Sequence, residues 1–304
     1  MEPRWQDPAW LDSAQAWIGT QISGMKLSQT GAIEQLHVSL WSTVLRVPTV
    51  QGDLWFKAND GPLRHEAALV ELLATRRPND ILEPLASDAV SGWMLMTDAG
   101  ESLRVLLPAE RRLDRWLGVL TCYAELQLDL ADAVDSMLAL GVPDLRLTVL
   151  PDKYERLVHE IGAERRFRDA TAYVTELCAA LRAFGIAETI QHDDLHDGQV
   201  FVKDGGHLLL DWGDACISHP FFTLSVTLEG VLSWGLDDVE NSVDTAPFRD
   251  AYLAPYAERY GGDLVAATKL ALRLGWACRA VNGHVPGDAT ATETRLRMFL
   301  DGRP

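Results

Sequence analysis

The sequence predicts an α+β protein, with a small sheet-rich first lobe and a larger helical second lobe. Three observations predict it. Residues 33–97 carry short apolar runs punctuated by turn signals, and after Gly100 the apolar residues recur at helical spacing. A single strong hairpin signal, D-G-G at residues 204–206, then interrupts the helices. With 304 residues, 47% of them hydrophobic and 23% charged, the chain can bury a sizeable core in two lobes, placed at residues 1–97 and 98–304.

The first lobe opens with a helix over residues 8–22, because Trp10, Leu11, Ala14, Trp17, Ile18 and Ile22 fall at helical spacing and Gly24 follows where a helix stops. A small antiparallel sheet comes next, with V-P-T-V-Q-G-D turning into L-W-F-K-A and S-D-A-V-S-G turning into W-M-L-M-T. One helical run, residues 63–75, interrupts these strands. In the second lobe helices are expected over residues 109–131, 151–161, 170–184, 221–234 and 247–260, with the strands 200–203 and 207–210 embedded as a hairpin. A ligand is expected in a cleft between the lobes.

The formal net charge of -17 repels nucleic acid and anionic lipid and attracts a cationic small molecule. The opening residues do not form a signal peptide, and no run approaches the ~18 apolar residues of a membrane helix, so neither nucleic acid nor membrane is expected as a partner and the location is expected to be cytoplasmic. Cys122, Cys178, Cys216 and Cys278 lie far apart and read as buried, reduced thiols.

The informative stretch is Q-H-D-D-L-H-D-G-Q-V-F-V at 191–202, followed by L-L-L-D-W-G-D at 208–214. Asp194 and Asp211 flank a strand-turn-strand, which is expected to return them close together. Phosphoryl transfer needs one carboxylate to orient or deprotonate the attacking hydroxyl, and oxygen ligands to hold magnesium on nucleotide phosphates. Asp194 suits the first task and Asp211 the second.

The segment resembles the catalytic loop of the aminoglycoside phosphotransferase family and its protein-kinase-like relatives, H-x-D-x-x-x-x-N followed by a magnesium-binding aspartate. His192, Asp194 and Gln199 fall on the marked positions. The resemblance covers about residues 25–235 and implies a two-lobed protein-kinase-like fold that uses ATP and Mg2+. It makes Asp194 the catalytic group, His192 a brace for the loop, and Asp211 and Gln199 the metal ligands. Gln199 departs from the usual asparagine, keeping the amide oxygen one methylene further out. His196 reads as structural.

A kinase also needs a strand lysine gripping the phosphates and a helix glutamate holding it. Alternation puts Lys57 and Trp55 on one strand face, and Glu66, near a helix start, is a better partner than Glu71. The phosphate-covering turn V-S-L-W-S-T has no glycine, so the Ser39 or Ser42 hydroxyl is expected to assist. Met94 to Asp98 resembles the hinge, with Met94 and Met96 beside the adenine. Asp237, Asp238 and Glu240 read either as a solvated face or as a pocket for an amine-bearing acceptor. The implied activity is O-phosphorylation of a small cationic molecule such as an aminoglycoside-like antibiotic. The alternatives are a sugar, amino-sugar or choline-like metabolite kinase, a pseudokinase binding module, and a His/Asp metal-dependent hydrolase.

Overall fold

The computed structural model describes residues 3–302, and the chain divides into two compact units, Met1–Glu101 with Phe201–Gly213 and Ser102–Val200 with Asp214–Pro304. In the first unit α1 (Pro8–Gly24) is capped by Asp7, whose carboxylate accepts from the Ala9 N–H. Its Trp10, Ala14, Ile18 and Ile22 stripe is buried, as the spacing predicts. A five-stranded antiparallel sheet follows, built from β1 (Glu34–Val38), β2 (Ser42–Thr49), β3 (Gly52–Asn59), β4 (Ala86–Asp88) and β5 (Trp93–Thr97), in the order β1-β2-β3-β5-β4. The helix α2 (Glu66–Arg76) lies between β3 and β4 in the chain.

The register of β3 sorts its side chains. Leu54, Phe56 and Ala58 join the core beneath α1, where Phe56, Trp10, Trp17 and Trp93 meet at ring separations of 5.7 to 6.4 Å. Each large side chain in such a cluster contributes about 1.5–3 kcal/mol through burial. The opposite face carries Lys57, paired across the sheet with Met94 and Val44, and Trp55, paired with Met96 and Arg46.

The strands β8 (Val200–Lys203) and β9 (Gly206–Leu209) form the expected hairpin, to which the two-residue β6 (Glu101–Ser102) adds. Asp204 and Gly205 have φ of 52° and 82°, the pair of left-handed residues that a type I′ turn requires. The sequence reading set this hairpin in the second lobe. From Phe201 onward it groups with the first unit, where the Leu209 N–H donates to Asp80 O at 2.8 Å and Lys203 Nζ donates to Asp98 O at 2.6 Å.

The second unit is helical, with α3 (Leu103–Glu110), α4 (Arg115–Asp129), α5 (Val134–Ala139), α6 (Leu150–Glu160), α7 (Arg165–Asp169), α8 (Thr171–Arg182), α9 (Ala246–Arg259), α10 (Leu264–Asn282) and α11 (Thr290–Asp301). A small antiparallel pair, β7 (Thr189–Gln191) with β10 (Cys216–Ser218), sits among them. Three features depart from the sequence reading. The helix expected over 109–131 is broken at Arg111, which is left-handed with φ 53° and caps α3 through a bond from its N–H to Leu107 O. The segment expected as a helix over 221–234 is a π-helix at Ser225–Val231 flanked by 3₁₀ turns. There α10 approaches so closely that a Cβ on Gly275 would lie 2.2 Å from Ser225 Oγ, which itself donates to Leu272 O. The third is the pair α10 and α11, which lies beyond the last helix expected from the sequence.

Candidate active site

In the first unit, β3 delivers Lys57 from the face opposite α1, and α2 begins at Glu66. Lys57 Nζ lies 2.8 and 2.7 Å from the two Glu66 oxygens and 2.6 Å from Asp211 Oδ1. Asn59 Nδ2 donates to the remaining face of Glu66. Burial pulls Lys57 towards neutrality, but the Asp211 and Glu66 carboxylates outweigh it and hold the ammonium above the usual lysine range. Burial pushes Glu66 up, against the pull of Lys57 and with a further push from Asp211. Two carboxylates therefore share one ammonium, an arrangement suited to a further cation or to a phosphate drawn to Lys57. Asp211 is left-handed, with φ 65°, and about half-exposed. Glu71 is bonded elsewhere, accepting from the Ser87 hydroxyl.

Ser39 and Ser42 sit in the turn between β1 and β2. Ser39 Oγ accepts from the Ser42 N–H at 3.0 Å and donates to Ser42 O at 3.2 Å, so this hydroxyl closes its own turn. Ser42 is buried at the start of β2. Met94 is buried in β5 and Met96 half-buried, both on the Lys57 face.

In the second unit the strand pairing of β7 with β10 fixes the start of the H-x-D loop. His192 is fully buried, and its backbone N–H donates to Tyr123 Oη of α4 at 2.8 Å. Gln127, one turn on, donates to Ile190 O at 2.8 Å and to Pro220 O at 3.2 Å, while Tyr252 Oη donates to its side-chain oxygen at 2.6 Å. This buried network anchors the loop through polar groups whose removal would leave partners unsatisfied.

Asp193 then takes the left-handed conformation, φ 62°, turning the chain so that successive carboxylates diverge. Asp193 points inward and accepts from Asn282 Nδ2 at 2.8 Å and Gln191 Nε2 at 3.0 Å. Burial pushes its carboxyl up to about 6, against the pull of Arg279 and Asn282. Asp194 is the outward member, and its Oδ1 accepts from Arg279, whose other terminal nitrogen donates to Asp193 O. Arg279 and Asn282 are both on α10, one turn apart.

His196 Nδ1 accepts from the Gly198 N–H at 2.9 Å, which assigns the ring proton of the neutral form to Nε2, 3.7 Å from Asp194 Oδ2. Arg104 clamps the same loop, donating to Asp197 at 2.8 and 3.0 Å. A Cβ at Gly198 would lie 2.8 Å from the His196 ring and 2.9 Å from the Arg104 guanidinium, so a larger residue there would displace those two side chains. Gln199 places its amide nitrogen 3.4 Å from His196 Nε2.

Asp237, Asp238 and Glu240 do not share one pocket. Asp237 pairs with Arg111 at 3.1 Å on the surface and Asp238 is exposed in a left-handed turn. Glu240 lines a cleft of about 330 Å³ with Glu229, Ser233, Asn241 and Thr245. Glu229 comes from the π-helix and accepts from the Trp276 indole at 2.6 Å. Sequence reasoning missed Glu229, Asp193 and Arg279. The available signal was the i, i+3 pair Arg279 and Asn282 on an otherwise apolar helical stretch.

Among the described residues no cluster of three or more His, Cys, Asp or Glu suits a metal ion. Magnesium held mainly by phosphates needs only one or two protein oxygens; in the first unit the Asp211 carboxylate, and in the second the Gln199 amide oxygen, are each hard donors of that kind.

Comparison with known proteins places the chain in a family. The model of the phosphotransferase enzyme family, APH, matches residues 39–272. No curated protein matches the chain. A mutant aminoglycoside 2′-phosphotransferase IIIa solved with GDP is 18% identical, with 94% of this chain and 96% of that one covered at a TM-score of 0.59. A choline/ethanolamine kinase family protein from Mesorhizobium loti is 18% identical over 96% of both chains, TM-score 0.60. A macrolide 2′-phosphotransferase from Brachybacterium faecium is 16% identical over 94% and 97%, TM-score 0.55. These likenesses give the fold as that of the protein-kinase-like small-molecule kinases, and with more than half of its residues matched by the family model, the chain belongs to the phosphotransferase enzyme family.

Proposed function

We propose that this phosphotransferase moves the γ-phosphoryl group of ATP to a hydroxyl of a small cationic acceptor such as an aminoglycoside-like antibiotic. The observation that carries the reading is the buried Lys57 ammonium held between Glu66 and Asp211, in a chain whose H-x-D loop presents Asp194. Lys57 grips the nucleotide phosphates and Glu66 fixes its position. Asp194 accepts the hydrogen bond of the attacking hydroxyl and orients it, taking its proton as transfer proceeds. Asp211 and Gln199 are the residues that would hold Mg2+, which when bound neutralises charge on the phosphates. His192 braces the loop, and Met94 and Met96 flank the adenine. In this reading residues 1–97 serve the nucleotide and residues 98–304 carry the catalytic loop and the acceptor site.

A cationic acceptor is supported by the cleft lined by Glu229 and Glu240 and by the net charge of -17. Asp237 and Asp238, proposed from sequence as acceptor residues, have weaker support, since only Glu240 of the three lines that cleft. A cytoplasmic location, where ATP is abundant, belongs to the same reading, and no helix among the described residues is long and apolar enough to cross a membrane.

A second reading, a metabolite kinase acting on an amino sugar or choline-like alcohol, draws on the likeness to the choline/ethanolamine kinase family protein. An ADP-release assay with MgATP or MgGTP tests both, against a panel of aminoglycosides, macrolides, cyclic peptide antibiotics, amino sugars and choline. Turnover that disappears in Asp194→Asn identifies the acceptor class. Nucleotide binding with no turnover on any member favours a binding module, and hydrolysis that survives replacement of Lys57 favours a metal-dependent hydrolase.

A further inference from the structure

The turn over residues 39–42 joins β1 to β2 without a glycine. Backbone amides in such a turn can meet an anion only when the neighbouring carbonyls are turned away and held. Two carbonyls of this turn are held, by two separate stretches of chain. The Trp5 indole N–H donates to Ser39 O at 3.0 Å, and the Asp60 N–H donates to Trp41 O at 2.9 Å. The two stretches are themselves joined, since Arg4 donates to Asp60 Oδ2 at 2.6 Å. Among the described residues, the amides of Leu40 and Trp41 have no protein acceptor.

Trp5 is fixed in turn. It is fully buried, packs edge-on against Trp10 at 4.9 Å, and its carbonyl accepts from Gln35 Nε2 at 3.2 Å. The same Gln35 nitrogen donates to Thr43 Oγ1 at 2.9 Å, on the far side of the turn. On the opposite flank the Trp41 ring lies against Gly61, where a Cβ would come within 2.7 Å of it. The turn is therefore stiffened from outside, and the constraint begins at a segment, Arg4–Gln6, that precedes the residues matched by the family model.

We propose that Trp5 is a positioning residue for nucleotide binding, clamping the β1–β2 turn so that its amides are preorganised for phosphate. This rests on the nucleotide reading above. A role in core packing alone would affect stability and every ligand alike, whereas a clamp on this turn affects phosphates and spares the nucleoside.

Calorimetric titration of the full chain with MgADP and with adenosine separates the two. Trp5→Phe keeps an aromatic ring and removes the donor, and is expected to weaken MgADP by about 3- to 10-fold, the loss of one hydrogen bond, with adenosine unchanged. Arg4→Ala, at an exposed ion pair, is expected to weaken MgADP by about 2- to 3-fold with adenosine again unchanged. A folded Trp5→Phe that binds MgADP like the wild type, or that loses both ligands in parallel, overturns the clamp. If Trp5→Phe does not fold, Arg4→Ala decides, and unchanged MgADP affinity there overturns the clamp equally. Wild-type protein that binds neither MgADP nor adenosine overturns the nucleotide reading itself, so the two failures are distinguishable.

Discussion

The lysine cluster of the first unit and the H-x-D loop of the second hold their charges by different means. Lys57 and Glu66 are set by regular structure, a strand face and the first residue of a helix, nine positions apart in the chain. Asp194 is set by irregular structure, a left-handed Asp193 before it and an arginine 85 residues later. Local periodicity places the first kind of group. The second kind depends on where a distant helix packs, because the partner of the half-buried Asp194 is an arginine from elsewhere in the chain.

The largest expected effect tests the loop. Asp194→Asn removes the proton acceptor and keeps the side-chain shape, so turnover should fall by ~10² to 10⁴ while MgATP affinity stays within experimental error. Steady-state kinetics alongside nucleotide titration check this, and undiminished turnover would remove Asp194 from the reaction. Next comes the lysine cluster. Lys57→Met leaves Glu66 buried without its counter-charge and should cost about 3–5 kcal/mol in chemical denaturation. Adding Glu66→Gln should recover most of that stability and none of the activity. A double variant as unstable as the single one would show that the cost lies in packing.

Arg279 sharpens the contrast, because it serves Asp194 and the backbone of Asp193 together. Arg279→Met should lower kcat with little change in the KM for ATP, and should destabilise the second unit by about 2–4 kcal/mol, since Asp193 loses its nearest positive charge. Arg279→Lys should retain part of the stability and less of the turnover, as an ammonium cannot reach both acceptors in the planar geometry of a guanidinium. Equal kcat in all three proteins would reduce Arg279 to a structural arginine.

Much of this was legible before the fold. The α1 stripe, the Lys57 face, the type I′ hairpin and the order of lysine, glutamate and two aspartates all follow from period, turn chemistry and motif. The π-helix did not, because its apolar spacing reads as ordinary helix and its close contact with Gly275 is fifty residues away in the chain. The break at Arg111 was hidden for a similar reason, since arginine carries no turn signal of its own. The acidic set after Trp234 reads as one cluster in sequence and disperses in space, with Asp237 on Arg111, Asp244 accepting from the Ala246 N–H at the start of α9, and Glu240 in the cleft. Asp193 was passed over because H-D-D offers two neighbouring carboxylates, and only the backbone conformation shows which one turns inward.

That inward carboxyl gives the smallest and most specific prediction. In the folded protein burial raises Asp193 to about 6 from an ordinary value of 3.8, so the folded state binds more protons than the unfolded chain between those values. Its contribution to stability is most favourable below about pH 4 and declines as pH rises towards about 6, above which the cost of the buried charge is fully present. Asparagine tolerates the left-handed backbone at this position and cannot ionise. Asp193→Asn should therefore flatten this part of the stability profile, gaining on the wild type as pH rises from 4 to 7. Denaturation midpoints across that range measure the difference. Parallel profiles would mean that Arg279 and Asn282 compensate the buried carboxylate fully, making the loop as well balanced electrostatically as the lysine cluster.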